Sequence, residues 1–457
     1  MKKRIWRLIL PLGMLLVLAG CLFESGEDFY QLPQLPEDYL ALQTAIDQVV
    51  SDLGAEYTSP TAGDNTQNIQ LHDLDGDGEE ETAVAFFWVS EDEKPLKIYF
   101  FRQSADGESY ETAWVIEREG TGIYSIDFQN LGGGGDLEAV VSWQLSTDVR
   151  AMAAYALVEG DYDVVELMYS GYTQSTVLDI DQDNEQEILL IQTDAAESTG
   201  LVELYDYSDG LMLLSSQVTL SHTLNAVKAV KQGYLTSQSS ALFITCEIGS
   251  SGGYVTDIVT WQDGALVNLT LDEATGISTS TLRYYTDFQD VYGADINGDG
   301  IMELPIPEAL PLLDESTGQM YQLRWYQFDG EGQAQLIGST FHCYDDGWYL
   351  VLPESWDGCI TAARQEGSAS SASSERIIVF YYIPDGDVEQ AQPFLSIYRL
   401  SGTNRSYRAS LSGRFTLQET SQIIYAARLW NTSWDCGIEQ EDLVGWFSLI
   451  ESQWSSG

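Results

Sequence analysis

NIQLHDLDGDGEEETAVAFF, residues 68–87, holds the pattern from which the rest of the chain is read. An alternating run ends at His72. A dense acidic stretch, Asp73 to Glu81, follows, and an apolar run then begins at Thr82. The same nine-residue frame returns as DIDQDNEQE, Asp179 to Glu187, and as DINGDGIME, Asp295 to Glu303. Side-chain oxygens stand at positions one, three, five and nine of each frame. They belong to Asp73, Asp75, Asp77 and Glu81, to Asp179, Asp181, Asp183 and Glu187, and to Asp295, Asn297, Asp299 and Glu303. Position six is Gly78, Asn184 or Gly300, the residue types that enter left-handed backbone at least cost.

A tight turn of this kind points positions one, three and five inward. The backbone carbonyl of position seven (Glu79, Glu185, Ile301) joins them, and position nine closes the far side. Calcium takes about six to eight oxygen ligands at roughly 2.3–2.6 Å, which suits this set. Without a cation, so many neighbouring carboxylates repel one another. The expectation is up to three structural Ca2+ sites. Magnesium suits the frame less, because it demands octahedral geometry and keeps its waters. An EF-hand is excluded. Its loop needs Glu at position twelve between two helices. Position twelve here is Val84, Leu190 or Ile306, and the flanks TAVAFF and ILLI are strand-like.

The frames belong to a larger repeat between residues 65 and 340. Its easiest mark is an acidic-Gly turn between two β-rich runs: Asp106-Gly107, Glu159-Gly160, Asp209-Gly210, Asp263-Gly264 and Asp329-Gly330. Such pairs suit type I′ hairpin turns, which need positive φ at both central residues. A period near 50 residues with four strands per unit predicts a mainly β fold, a β-propeller of about five four-stranded units. Together with the loops, this resembles the FG-GAP or VCBS-type repeats of integrin-like propellers. The resemblance implies that each acidic loop joins the innermost strand of a unit to the second. Some units depart from the pattern. In DFQNLGGGGDLEAVVSW, from Asp127, glycines replace the inner carboxylates but Glu138 remains. The fourth unit, around Ser239 to Ile248, has no acidic loop. Pro305 and Pro307 predict a short or edge strand after the last loop.

Outside the repeat, residues 1–20 have the layout of a secretory signal, with Lys2, Lys3, Arg4 and Arg7 before an apolar run from Leu8 to Leu18. The ending Leu18-Ala19-Gly20-Cys21 resembles the bacterial lipobox, which implies lipidation of Cys21 and an extracytoplasmic, membrane-anchored protein. Residues 21–37 read as a tether. Residues 38–64 read as a helix and lead-in, with Leu42, Ile46, Val49 and Leu53 on one stripe. Residues 341–457 read as a separate C-terminal α+β domain ending in a helix marked by Leu443, Phe447, Ile450 and Trp454. The rival reading makes the hairpin at Asp385-Gly386 a sixth unit. Of the four remaining cysteines, Cys246, Cys343, Cys359 and Cys436, the nearest candidates for a bridge are Cys359 and Cys436.

Asp plus Glu number 71 against 20 Lys plus Arg, a formal charge of -51. This surface repels nucleic-acid backbones and anionic lipid headgroups. No nucleophile, metalloprotease or phosphate-loop motif is evident, and no catalytic residue is assigned. Two functions remain: a calcium-stabilised surface module that binds a protein or polysaccharide, or an extracytoplasmic glycosidase-like hydrolase working in a propeller funnel.

Overall fold

A computed structural model describes residues 37–450, apart from 77, 79, 105–108, 133–136, 159–162, 195–198, 223, 250–252, 280, 283–291, 315–317, 367–372 and 412. The signal, Cys21 and the tether up to residue 36 lie outside the described residues. So do Asp77, Glu79, the turns at Asp106-Gly107 and Glu159-Gly160, most of the Ser/Ala run, and Trp454. The chain forms two compact units, residues 1–127 with 157–165, and residues 128–156 with 166–457.

The first unit opens with the expected helix, α1, Glu37–Leu53. Leu42 and Ile46 are buried, and they pack with Ala83, Ala85, Phe87 and Phe101. Those partners come from a sheet of β1 (Glu56–Tyr57), β2 (Ile69–His72), β3 (Thr82–Trp88), β4 (Leu96–Gln103) and β5 (Tyr110–Arg118). A four-stranded sheet comes next. It is ordered β6 (Gly122–Gln129), β7 (Glu138–Gln144), β8 (Arg150–Val158) and β9 (Asp163–Tyr172).

The second unit continues in the same manner. One sheet is β10 (Gln174–Leu178), β11 (Glu187–Asp194), β12 (Thr199–Ser208) and β13 (Leu211–Thr219). Another is β14 (Leu224–Thr236), β15 (Ser239–Ile248), β16 (Gly253–Gln262) and β17 (Ala265–Asn268). The short strands β18 (Leu271–Asp272) and β19 (Ile277–Ser278) pair with each other, and β20 (Thr281–Leu282) adds to β16. Then come β21 (Leu304–Ala309), β22 (Tyr321–Phe328), β23 (Ala334–Cys343) and β24 (Trp348–Leu352). Successive four-stranded antiparallel sheets of neighbouring strands are the repeat of a β-propeller, and the fold is mainly β and of that class.

The strand sequences follow from their place in the sheet. Second strands are covered on both faces, so β3 (TAVAFFW) and β11 (EILLIQTD) read as apolar runs rather than alternations. The outer strand β13 is largely exposed and carries Ser215, Ser216, Gln217 and Thr219 in its second half. Turns between third and fourth strands are therefore at the rim, where Asp-Gly can take positive φ. Asp209 and Gly210 have φ of 54° and 84°, and Asp263 and Gly264 have 51° and 82°. Asp329-Gly330 differs from expectation. Asp329 Oδ1 accepts the N–H groups of Glu331 and Gln333 at 2.9 and 2.8 Å, and Gly332 takes the positive φ. The longer loop replaces a two-residue turn because the Asp side chain closes it. β21, with Pro305 and Pro307, is a six-residue strand at the end of its sheet, as expected.

The separate C-terminal domain is not seen. A boundary at 340/341 would cut β23, which pairs with β22 on one side and β24 on the other. A sixth large sheet follows, ordered β25 (Ile360–Glu366), β26 (Ser373–Tyr382), β27 (Gln392–Gly402), β29 (Ile423–Leu429) and β28 (Phe415–Glu419). The rival reading of Asp385-Gly386 as a repeat hairpin is the nearer one. Its φ values are 50° and 76°, and it lies between β26 and β27. A single buried cluster joins Phe341, Trp348 and Leu350 of the fifth sheet to Ile360, Phe380 and Phe394 of the sixth. Asp346, buried in the β23–β24 connection, binds Arg376 Nε at 2.8 Å. A helical stripe was expected to run through Phe447. Instead, after the five-residue helix α2 (Arg405–Ala409), the helix α3 (Gln440–Trp446) stops before Phe447. Phe447–Leu449 becomes β30, because the free edge of β24 offers strand partners from Leu350 to Trp348. Cys359 and Cys436 are free thiols against this same core. The indole of Trp356 donates to the Cys436 carbonyl at 2.9 Å, while the Cys359 thiol points at the Trp356 and Ser355 carbonyls.

Two glycines separate backbone strain from crowding. Gly210 has positive φ and open space where a Cβ would stand, so Gly210→Ala is expected to cost only the left-handed penalty, about 1–2 kcal/mol. At Gly332 a Cβ would stand 2.4 Å from the Leu269 carbonyl oxygen. Gly332→Ala should lower the Tm clearly further than Gly210→Ala, measured by thermal melts under one condition.

Candidate metal centre

The three acidic loops fold alike. The position-one carboxylate gathers backbone N–H groups from within the loop. Asp73 accepts from Gly76 and Gly78 at 2.7 and 2.8 Å. Asp179 accepts from Asp183 and Asn184, both at 3.1 Å. Asp295 accepts from Gly298, Asp299 and Gly300 at 2.7, 3.1 and 2.8 Å. Position three then accepts from the N–H of position five, and position five from that of position seven. The Asp181–Asp183–Glu185 and Asn297–Asp299–Ile301 series both show this. Positions four and six take positive φ in every loop: Gly76 and Gly78, Gln182 and Asn184, Gly298 and Gly300. Position six was legible from its residue types. Position four was hidden in the middle loop, where Gln182 adopts φ of 66° against its preference.

Folding the loop this way brings its oxygens together. In the middle loop, a carboxylate oxygen from each of Asp179, Asp181, Asp183 and Glu187 lies within 4.8 Å of the others. The first loop brings Asp73, Asp75 and Glu81 together in the same way, and the third brings Asp295, Asp299 and Glu303. Asn297 lies within this third group, its Nδ2 3.0 Å from Asp299 Oδ2. Glu185 is drawn into the electrostatics of the middle loop. Each loop leads into the next strand of its sheet: β2 to β3, β10 to β11, and the Ala294–Glu303 bridge into β21.

Position nine has a second duty. Glu187 Oε2 accepts the Ile180 N–H at 2.8 Å, and Glu303 Oε2 accepts the Ile296 N–H at 2.8 Å. Each locks the loop to the head of a buried strand. Glu138, at the end of the glycine-rich loop, does the same for Leu131 at 2.8 Å. This explains why the second repeat keeps its glutamate where the inner carboxylates are gone. The closing hydrogen bond is useful without an ion.

The middle loop shows most plainly that the residues fit a cation. Glu187 is 1% exposed, and its Oε1 has no hydrogen-bond partner among the described residues. An ionised oxygen buried without a partner is costly. Burial, with repulsion from Asp181, Asp183 and Asp179, pushes the Glu187 carboxyl up to about 8. Burial first, then Asp183, also raises Asp181 and Glu185. The other two loops hold donors of their own. Arg102 brings its guanidinium to 3.8 Å from Asp75 and 3.6 Å from Glu81. Gln327 donates to Asp299 at 2.8 Å and to Glu303 at 2.7 Å. Neither residue was singled out from the sequence, because each comes from a strand paired across the sheet.

The histidines stand apart from this chemistry. His72 hydrogen-bonds Gln70 at 2.9 Å, and burial lowers its pKa. His342 is a core residue stacked on Tyr349, and burial lowers its pKa to about 3.

No protein-family model matches the chain, and no curated protein matches it. Among solved structures, Sqt1 of Saccharomyces cerevisiae is similar at a TM-score of 0.29 and 10% identity, over 67% of this chain and 82% of that one. The Dos1 propeller is similar at 0.31 and 8% identity, over 76% and 75%. A protein of Lactobacillus plantarum is similar at 0.26 and 10% identity, over 74% and 86%. Likenesses this slight carry no argument, and the fold class rests on the sheets of this chain itself.

The two duties of position nine separate by mutation. Glu187→Gln keeps an acceptor for Ile180 and removes an acid whose ionisation the calcium-free fold opposes. It should raise the Tm in EDTA, by an amount equivalent to roughly 1 kcal/mol, and lower it in millimolar calcium. Glu138→Ala should lower the Tm equally in both, because its hydrogen bond needs no ion.

Proposed function

We propose that the chain is a calcium-braced binding module of the FG-GAP/VCBS-like kind, held by a lipid on Cys21 at the outer face of a bacterial membrane. The single observation that carries the calcium part is the buried, unpartnered Glu187 Oε1 among three further carboxylates. A divalent cation there would be held by Asp179, Asp181, Asp183 and Glu187, and would neutralise charge that the fold otherwise buries at a cost. The corresponding residues of the first and third loops offer two further sites. Calcium in this reading is structural and performs no chemistry.

The binding part rests on a cleft of about 700 Å3 beside the middle loop. Gln182, Asn184 and Gln186 of the loop line it together with Gln232, Tyr234 and Ser240. Asp179 also lines it, but on a chain of charge -51 a lining in which amides and hydroxyls so outnumber carboxylates stands out. Tyr234 is 50% exposed and offers a ring for stacking. Amides, hydroxyls and an open aromatic face suit a polysaccharide or a polar protein segment. The loop that shapes one wall of the cleft is the one a cation would order. The anchor part rests on the Leu18-Ala19-Gly20-Cys21 sequence. Among the described residues no helix is long and apolar enough to cross a membrane.

Calcium that binds only the folded state stabilises it by about 2.7 kcal/mol at a hundredfold excess over Kd. The Tm should therefore rise with calcium concentration and fall on adding EDTA. A melt that ignores both would contradict the metal reading. Cys21→Ala should move the protein from the membrane to the soluble fraction, and an unchanged membrane fraction would contradict the anchor.

A further inference from the structure

The three loops share one internal geometry, but a different residue meets each from the third strand of its sheet. Residues directly opposite in an antiparallel pair share a face. One step beyond the Ile188–Tyr205 pair of β11 and β12, Asp206 stands opposite Glu187. One step beyond the Leu304–Tyr326 pair of β21 and β22, Gln327 stands opposite Glu303. The two residues are equivalent in register and opposite in chemistry.

Gln327 points an amide N–H pair at the third loop, 2.7 Å from Glu303 Oε1 and 2.8 Å from Asp299 Oδ2. The loop thus has donors from its own sheet where a cation would supply charge. In the first loop the neighbouring position, Arg102 opposite Thr82, supplies a guanidinium near Asp75 and Glu81. In the middle loop the third strand supplies one more acid. Asp206 is half-buried and within electrostatic reach of Asp183, Asp181 and Glu185. Glu187 Oε1 of the middle loop and Glu81 Oε2 of the first are both buried and accept no hydrogen bond among the described residues, but Arg102 lies 3.6 Å from the other oxygen of Glu81.

We propose that the third-strand residue sets how tightly each loop holds its cation. Asp206 is an additional carboxylate of the middle site and makes it the tightest divalent-cation site of the three. Gln327 and Arg102 are built-in donors that weaken the other two. Two physical effects separate the sites. Affinity for calcium rises with the number of charged ligands. An ion entering the third loop must also displace the Gln327 hydrogen bonds, and one entering the first must face a fixed positive charge. This assignment rests on the calcium reading above and goes beyond it in ranking the sites and naming what ranks them.

The test is calorimetric titration of calcium into the calcium-free full chain in detergent, with melting curves in EDTA to verify that each variant is folded. Asp206→Gln should weaken the tightest site about tenfold, and Gln327→Asp should tighten a weaker site by a similar factor. Arg102→Gln should likewise tighten one weaker site. If Asp206→Gln leaves the tightest site unchanged, or Gln327→Asp weakens binding, the assignment is overturned. Wild-type protein that binds no calcium would remove the calcium reading itself. Wild-type protein that binds calcium, with no variant shifting any site, would overturn the ranking alone.

Discussion

A carboxylate at the head of a buried strand must find either a positive charge or a full set of donors, and this constraint organises each acidic repeat. Glu187 and Glu303 are almost wholly buried, 1% and 0% exposed, because β11 begins at Glu187 and β21 immediately after Glu303. One oxygen of each is spent on closing the loop to its own second residue. The other is answered differently. Gln327 answers it for Glu303, whereas the Glu187 oxygen is answered by no donor among the described residues. The loop backbone follows from the same demand. N–H groups turn toward the position-one carboxylate, and this needs two left-handed residues within three positions. The middle loop accepts that conformation at Gln182, which has neither the freedom of glycine nor the local tolerance of asparagine.

Much of this was legible because it is local. The oxygen spacing within nine residues, the left-handed position six, the helix stripe of Leu42 and Ile46, and the Asp-Gly turns all act over a few residues. Unreadable features depended on pairing across the sheet. Asp206, Gln327 and Arg102 look like ordinary strand residues until register sets them opposite the loops. The C-terminal boundary was misplaced for a related reason. A Ser/Ala run and the loss of the acidic loop suggested a new domain, yet β23 crosses the boundary and the aromatic core around Trp348, Trp356 and Phe380 is shared. Phe447 fits a helical stripe, but a free strand edge on β24 overrides that local preference.

The glycine-rich loop shows which part of the motif a sheet needs. It has lost the inner carboxylates and kept Glu138 with its bond to Leu131. The closing glutamate therefore belongs to the architecture, whereas the inner carboxylates are the groups that could hold an ion. That division also fits a binding role better than a catalytic one for these acids. Most of their hydrogen bonds are to backbone N–H groups within the loops, and the cleft beside the middle loop, lined by Asp179 with amides and hydroxyls, is the surface proposed for a ligand.

The most direct measurement is the anomalous scattering of crystals grown in calcium. A peak enclosed by Asp179, Asp181, Asp183 and Glu187 is the predicted result. A well-ordered middle loop with no peak there, or with the Glu187 oxygen bound to a protein donor instead, would contradict it.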